Sequence, residues 1–119
     1  MIRFALIALL ALTAPAWAQE EASVGTGATL RGLDKHAGAV VDLPLRAGET
    51  VALGWLQITL AECRYPTANP SGDAFAYLVI REEAGEAAIF EGWMVASSPA
   101  LNALDHGRYD VWVLNCTTE

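Results

Sequence analysis

A chain of 119 residues with 14 acidic and only 7 basic side chains has a formal net charge of −7. This charge argues against the classes of protein that bind nucleic acid or an anionic membrane surface through a basic patch. The length allows one domain of ordinary size and excludes two.

The first 18 residues have the three parts of a secretory signal. Arg3 supplies the positive charge, residues 4–12 form an uninterrupted apolar run, and Ala16-Trp17-Ala18 matches the small-x-small cleavage pattern. The apolar run is about half the ~20 residues needed to cross a bilayer. We therefore expect residues 1–18 to be removed on export, leaving 101 residues with net charge −8, no membrane span, and a periplasmic or secreted location.

The mature chain begins with a polar leader and continues in short strands. Residues 19–27 are expected to form a flexible leader, and residues 28–119 a single β domain. Apolar and polar residues alternate in short runs separated by Gly, Pro, Asn and Asp, which is typical of strands and turns. This pattern predicts strands over residues 28–33, 40–45, 50–53 and 55–63, with turns at 34–38 and 47–49. Gly54 either separates the last two strands or bends one long strand.

The second half of the domain follows the same pattern with one exception. A loop rich in Pro and Gly is predicted over residues 65–73, and strands over 74–81, 89–96 and 109–116. Ser98 and Pro99 predict the start of a short helix, with Ser98 as N-cap and residues 100–104 as its one or two turns. The fold class is therefore all-β, a small sandwich or barrel with one short helix, and the alternation does not choose between the two.

Cys63 and Cys116 are the two cysteines of the chain. An even pair in an oxidising compartment is typical of a structural disulfide, which here would stabilise the fold by roughly 4 kcal/mol on the loop-entropy model. A redox pair or a metal site is disfavoured, because there is no Cys-x-x-Cys spacing and two thiols without nearby histidines make a poor zinc site. We expect no metal and no cofactor.

Large aromatic rings are numerous in the mature chain, and most are expected in the core. By alternation, Trp93 shares a face with Ile89 and Val95 and is predicted to be buried. Trp112 shares a face with Cys116 and is predicted to lie beside the disulfide. Tyr65, in the Pro-rich loop, is the ring with the best prospect of reaching solvent and contacting a ligand.

His36 and His106 each follow an acid closely, Asp34 and Asp105. If the two segments were neighbours in the fold, these side chains could form a carboxylate–histidine base or a divalent-metal site. The spacing does not require that neighbourhood. The simpler interpretation places His36 in a polar turn and His106 at the carbonyl end of the short helix.

Ser97 and Ser98 lie at the predicted strand-to-helix turn, where a nucleophile or an anion site could form. The surrounding residues do not make Gly-x-Ser-x-Gly, and capping alone explains a serine before proline. We therefore predict no catalytic residue. The weak candidates for ligand binding are Tyr65, Ser97, Ser98, His36 and His106.

Three segments resemble a known family: Leu30-Arg31-Gly32-Leu33-Asp34-Lys35, Gly92 to Leu101 (GWMVASSPAL) and Tyr109 to Cys116 (YDVWVLNC). They are similar to the alphaproteobacterial secreted family catalogued as domain of unknown function 2155, and the similarity covers about residues 28–116. The resemblance implies an exported single domain with the same paired cysteines. It implies no activity and no catalytic residue.

Three functions follow from these observations. The first is a non-enzymatic periplasmic β module that binds another cell-envelope component. The second is a small hydrolase or metal-dependent enzyme using Asp34, His36, Asp105 and His106. The third is a binding protein for a sugar or peptide fragment, which needs an apolar cleft with an exposed ring.

Overall fold

The computed structural model describes residues 20–119, which form two packed antiparallel β-sheets. The expected signal peptide lies outside these residues. The strands are β1 (Ala22–Val24), β2 (Gly27–Asp34), β3 (Ala39–Arg46), β4 (Thr50–Leu53), β5 (Leu56–Pro66), β6 (Phe75–Glu82), β7 (Ala88–Val95) and β8 (Tyr109–Thr117). The all-β prediction is confirmed, and the two open sheets make it a sandwich rather than a barrel. Within residues 20–119, no helix is long and apolar enough to cross a membrane.

Each sheet is built from neighbouring antiparallel strands. In sheet A, β5 pairs with β6 and β6 with β7, while β1 and β4 pair with different parts of the remaining edge of β5. In sheet B, β2 lies between β3 and β8. Leu53 pairs with Leu56, so β4 and β5 form a tight hairpin and not one bent strand.

The core lies between the two sheets and consists of the apolar residues that alternate along their strands. Because successive side chains point to opposite faces, β2, β5, β6 and β8 supply about every second residue to this layer, whereas β3, β4 and β7 supply one buried residue each and β1 supplies none. Burying a Leu, Ile or Val side chain contributes roughly 1.5–3 kcal/mol. The fully buried members include Leu30, Leu56, Ile58, Leu60, Leu78, Ile80, Val111 and Val113.

Two β-bulges determine where the cysteines point. In β5, Leu60 pairs with Leu78 and Glu62 with Tyr77, so Ala61 is an extra residue. In β8, Leu114 is extra in the same way, because the register with β2 shifts at this point. An extra residue inverts the alternation of all residues that follow it in the strand.

The inversion turns both sulfurs into the core, where Cys63 and Cys116 form a disulfide between the sheets with a Cα–Cα distance of 5.7 Å. The predicted disulfide is confirmed. The prediction that Trp112 lies on the same face as Cys116 is wrong, because the bulge separates their faces. Trp112 pairs with Arg31 on the outer face of sheet B and is half-buried there.

The prediction that Trp93 is buried is also wrong. Ala76 and Leu78 point into the core, so their cross-strand partners, Met94 and Gly92, face the same way. Trp93 lies between these two partners and points outward, with 36% of its surface exposed.

The expected flexible leader contains a paired strand. In β1, Ser23 pairs with Tyr65, and the Gly25 N–H donates to the Cys63 carbonyl at 2.7 Å. The expectation of a loose segment is therefore wrong for residues 22–24. Since β5 extends to Pro66, Tyr65 belongs to a strand and not to the predicted loop, and it is half-buried against the core.

The predicted helix is only a single 3₁₀ turn over Pro99–Leu101. Ser98 occupies the N-cap position before Pro99, as predicted, but its side chain makes no capping hydrogen bond. The segment between β7 and β8 instead crosses from sheet A to sheet B, and the side chain of Leu104 anchors it in the core with 6% exposure.

Candidate functional site

Four connecting segments meet at one end of the sandwich, which is termed the Trp55 end. They are residues 35–38, 54–55, 83–87 and 102–108. Backbone hydrogen bonds join them in pairs, from the Lys35 N–H to the Arg108 carbonyl and from the Glu83 N–H to the Trp55 carbonyl, each at 2.8 Å. The loops therefore form one connected surface.

The β4–β5 turn holds Trp55 in solvent. Gly54 has a φ of +57° and Trp55 a negative φ, which is the pattern of a two-residue type II′ hairpin turn. A Cβ at Gly54 would lie 1.9 Å from the Tyr109 hydroxyl, so only glycine fits. The turn leaves the Trp55 side chain 41% exposed.

Trp55 is supported from beneath by two side chains at the start of β8. The Tyr109 ring meets the indole edge to face, with centroids 4.9 Å apart. The Arg108 guanidinium carbon lies 4.9 Å from the centre of the Trp55 ring. Both contacts restrict the indole to one orientation, so a partner would meet a preorganised ring.

Asp34 fixes Arg108 in turn. Its carboxylate accepts hydrogen bonds from the Arg108 Nε and Nη2 atoms at 3.1 and 2.9 Å. It also accepts the backbone N–H groups of His36 and Ala37, at 3.0 and 3.1 Å. The Arg108 hydrogen bond is the largest cause that lowers the pKa of Asp34 to about 2, against a smaller opposing effect of burial.

His106 is held by its neighbours through both ring nitrogens. The backbone N–H groups of Arg108 and Tyr109 donate to Nδ1 at 3.0 and 3.1 Å, so the ring proton lies on Nε2. Nε2 lies 3.2 Å from Glu82 Oε1 and donates to it. The Lys35 ammonium donates to the His106 carbonyl at 2.7 Å. His106 therefore closes the loop before β8 onto β6.

The structure brings the two acid–histidine segments together but does not join their side chains in a base or a metal site. The Asp34 carboxylate contacts Arg108 and its own turn, whereas the His36 and Asp105 residues are exposed. Among residues 20–119, no three His, Cys, Asp or Glu side chains are grouped closely enough to hold a metal ion.

A cavity of about 350 Å³ lies beside the indole and is lined by Trp55, Glu82, Glu83 and Ala84. Arg108 and Tyr109 do not line it, so the cavity uses a part of the indole that these two side chains leave open. The cavity thus lies between an exposed indole and two acidic residues.

Ser97 and Ser98 lie at the other end of the sandwich, with Tyr65. The Ser97 hydroxyl donates to Asp73 Oδ2 at 2.6 Å, while the N–H groups of Ser97 and Ala74 donate to Oδ1, each at 2.9 Å. Burial would raise the pKa of Asp73, but these hydrogen bonds outweigh it and lower the pKa. The contacts attach the end of β7 to the start of β6, which is a structural role for Ser97.

A second aromatic surface, termed the Trp93 face, lies on the outside of sheet A. Tyr77 meets Trp93 edge to face with centroids 5.2 Å apart, and the Arg64 guanidinium carbon lies 5.3 Å from the centre of the Trp93 ring. Glu62 forms an ion pair with Arg64. This surface is separate from the cavity at the Trp55 end, which Trp93 does not line.

The sequence interpretation missed the main residues of the Trp55 end: Trp55, Glu82, Glu83, Arg108 and Tyr109. One local signal was present. A Gly-x pair between two alternating strands predicts a type II′ turn, and such a turn exposes the residue that follows the glycine. The support by Arg108 and Tyr109 could not be read in this way, because it depends on how the sheets pack.

Comparisons with known proteins agree with the three resembling segments. A 94-residue region is 27% identical to an uncharacterized protein, RP359, from Rickettsia prowazekii (strain Madrid E). The alignment covers 76% of this chain and 61% of the relative, so the chain spans about three fifths of the relative's length. No solved structure matches. A family model matches residues 28–116, and the chain therefore belongs to the family described as "Uncharacterized protein conserved in bacteria (DUF2155)".

Proposed function

We propose that the mature chain is an exported, disulfide-closed β module that binds another protein of the bacterial cell envelope through the Trp55 end. The signal pattern at residues 1–18 supports export. The Cys63–Cys116 disulfide supports it independently, because such bonds persist in oxidising compartments.

The observation that carries the binding proposal is the exposed indole of Trp55, which is packed against Tyr109 and Arg108. Trp, Tyr and Arg are the residues most enriched in the energetic centres of protein interfaces. At the Trp55 end the exposed indole contacts the partly exposed Arg108 and is supported by the buried Tyr109, and the Asp34 carboxylate holds the arginine. A ring that is already ordered loses little conformational entropy when a partner covers it.

Site-specific photocrosslinking in the native bacterium tests this proposal. A photoreactive amino acid replaces Ala84, which lines the cavity, or Leu101, which is 75% exposed on the segment between β7 and β8. We expect one adduct of defined mass from position 84 and none of that mass from position 101. Adding Trp55→Ala should reduce the yield of the adduct from position 84 at least tenfold.

Three outcomes of the crosslinking experiment would contradict the proposal. Equal adducts from both positions, no adduct from position 84, or an adduct that Trp55→Ala leaves unchanged would contradict binding through the Trp55 end. Trp93→Leu serves as the matched tryptophan variant, because it removes a second exposed indole on a different surface. It should leave the adduct from position 84 intact.

A second candidate function is binding of a sugar or peptide fragment at the Trp93 face. The exposed Trp93 ring and its contact with Tyr77 favour it, since flat aromatic surfaces stack on such ligands. Titration with soluble peptidoglycan fragments would show saturable quenching of tryptophan fluorescence that Trp93→Leu abolishes and Trp55→Leu retains. The enzymatic alternative gains no comparable support, because Asp34 and His106 are engaged by their neighbours.

A further inference from the structure

We propose that the cavity beside Trp55 receives a cationic side chain, arginine or lysine, from the partner protein. This inference rests on the proposed function and names the chemistry by which the partner is recognised.

The walls of the cavity favour a positive charge. The face of an indole ring attracts cations through its quadrupole, and two of the other residues that line the cavity, Glu82 and Glu83, are acidic. His106 does not neutralise Glu82, because its Nδ1 accepts two backbone N–H groups and the ring carries its single proton on Nε2.

The cations near the cavity already have partners, and Arg108 contacts the Trp55 ring itself. Arg108 is paired with Asp34, the Lys35 ammonium donates to the His106 carbonyl, and Arg81 Nε donates to the Glu86 carbonyl at 3.1 Å. Glu83 takes part in none of the ion pairs formed within residues 20–119. The cavity therefore keeps a negative charge that its own surroundings do not compensate.

Size and charge together favour a single side chain over a larger neutral ligand. A volume of about 350 Å³ is near the lower end of ligand pockets, which span roughly 300–1,000 Å³. A neutral ligand can donate hydrogen bonds to the glutamate carboxylates but leaves their charges uncompensated, whereas a guanidinium or ammonium group forms the stronger charge-assisted hydrogen bonds. The negative net charge, −7 for the full chain, also steers basic surfaces toward the protein.

The test uses N-acetyl-arginine methylamide as the probe and its uncharged citrulline counterpart as the control. Both are titrated into the oxidised mature chain, and nitrogen–proton NMR spectra report on the Trp55 indole and the Glu83 amide. We expect saturable shifts with the arginine probe at a Kd on the order of millimolar, and none with citrulline. Glu83→Gln should weaken binding about fivefold or more, while Glu91→Gln, on the exposed side of β7, should not change it.

Equal shifts with citrulline, no shifts with either probe, or unchanged binding by Glu83→Gln would overturn the inference. The spectra of each variant also show whether it is folded. The two proposals can fail separately. If the probe binds but no partner is crosslinked, only the proposed function is contradicted. If a partner is crosslinked, Glu83→Gln leaves that adduct unaffected and the probe does not bind, only the cationic side chain is contradicted.

Discussion

The Asp34 carboxylate connects two segments that are far apart in the chain, the β2–β3 turn and the start of β8. It caps its own turn through the N–H groups of His36 and Ala37 and holds Arg108 through two hydrogen bonds. Arg108 in turn supports the Trp55 ring. A single carboxylate thus determines the orientation of an exposed indole that it does not touch.

Replacing Arg108 with glutamine should raise the pKa of Asp34 from about 2 toward its ordinary value of 3.8, because the largest cause of the lowering is removed. Since the folded-state pKa lies below the unfolded one, the stability that this pair contributes is present above pH 4. It is lost as the pH falls from about 4 to about 2. Carboxyl carbon NMR measures the midpoint. Arg31→Gln is the matched control, because Arg31 pairs with Asp42 on another surface.

Gly54→Ala should destabilise the domain by about 3 kcal/mol. Part of this cost comes from a left-handed backbone conformation at alanine, and the rest from overpacking of its Cβ against Tyr109. Gly38→Ala separates these two effects, since Gly38 has a φ of +64° but open space around its Cβ position. It should cost only about 1 kcal/mol. Urea denaturation measures both values, and equal losses would contradict the close approach of Tyr109 to the turn.

At the scale of the strands, alternation in the sequence is enough to locate most elements, because β2, β5, β6 and β8 bury about every second residue. Alternation does not predict the faces of residues that follow an extra residue in a strand. Ala61 and Leu114 are single extra residues whose positions depend on the partner strand, so the faces of Trp112 and Cys116 could not be inferred from one strand alone. Alternation does not predict β1, because this strand is only three residues long and none of them is buried. The strand is defined by its backbone pairing with β5.

The candidate site was less predictable than the fold. Residue type alone singles out the histidines and serines, and the structure shows His106 and Ser97 in contacts that stabilise loops. The exposed Trp55 required knowledge of a turn, and its support required knowledge of how β8 packs against the β4–β5 hairpin. Such contacts between distant segments leave no periodic trace in the sequence.

Deleting Leu114 should prevent the disulfide from forming. Without the extra residue, the alternation of β8 would continue unchanged and the thiol of Cys116 would face away from Cys63. Mass spectrometry after alkylation under non-reducing conditions should then find both thiols modified. Leu114→Ala keeps the bulge and should keep the disulfide. An intact disulfide in the deletion variant would show that the bulge does not direct the sulfur.

At the scale of the whole molecule, the disulfide joins sheet A to sheet B across the core and limits the freedom of the unfolded chain. Both sulfurs come from strands that also carry core residues, Leu60 in β5 and Val113 in β8. A small domain has little stability to spare, so this one bond supplies a large share of the total.

Reduction should lower the melting temperature by on the order of 20 °C, which corresponds to about 4 kcal/mol for a domain of this size. Circular dichroism of the oxidised and reduced chain measures the difference. The Cys63→Ala/Cys116→Ala double variant should melt at one temperature with or without reductant. Equal midpoints for the oxidised and reduced chain would mean that the core alone holds the sheets together.

The intact mass of the chain recovered from fractions of its native bacterium tests the account most directly. We predict a periplasmic form that begins at Gln19, lighter by two hydrogen atoms than the fully reduced chain, and alkylated only after reduction. A cytosolic chain that retains its first 18 residues, with both thiols open to alkylation, would contradict it.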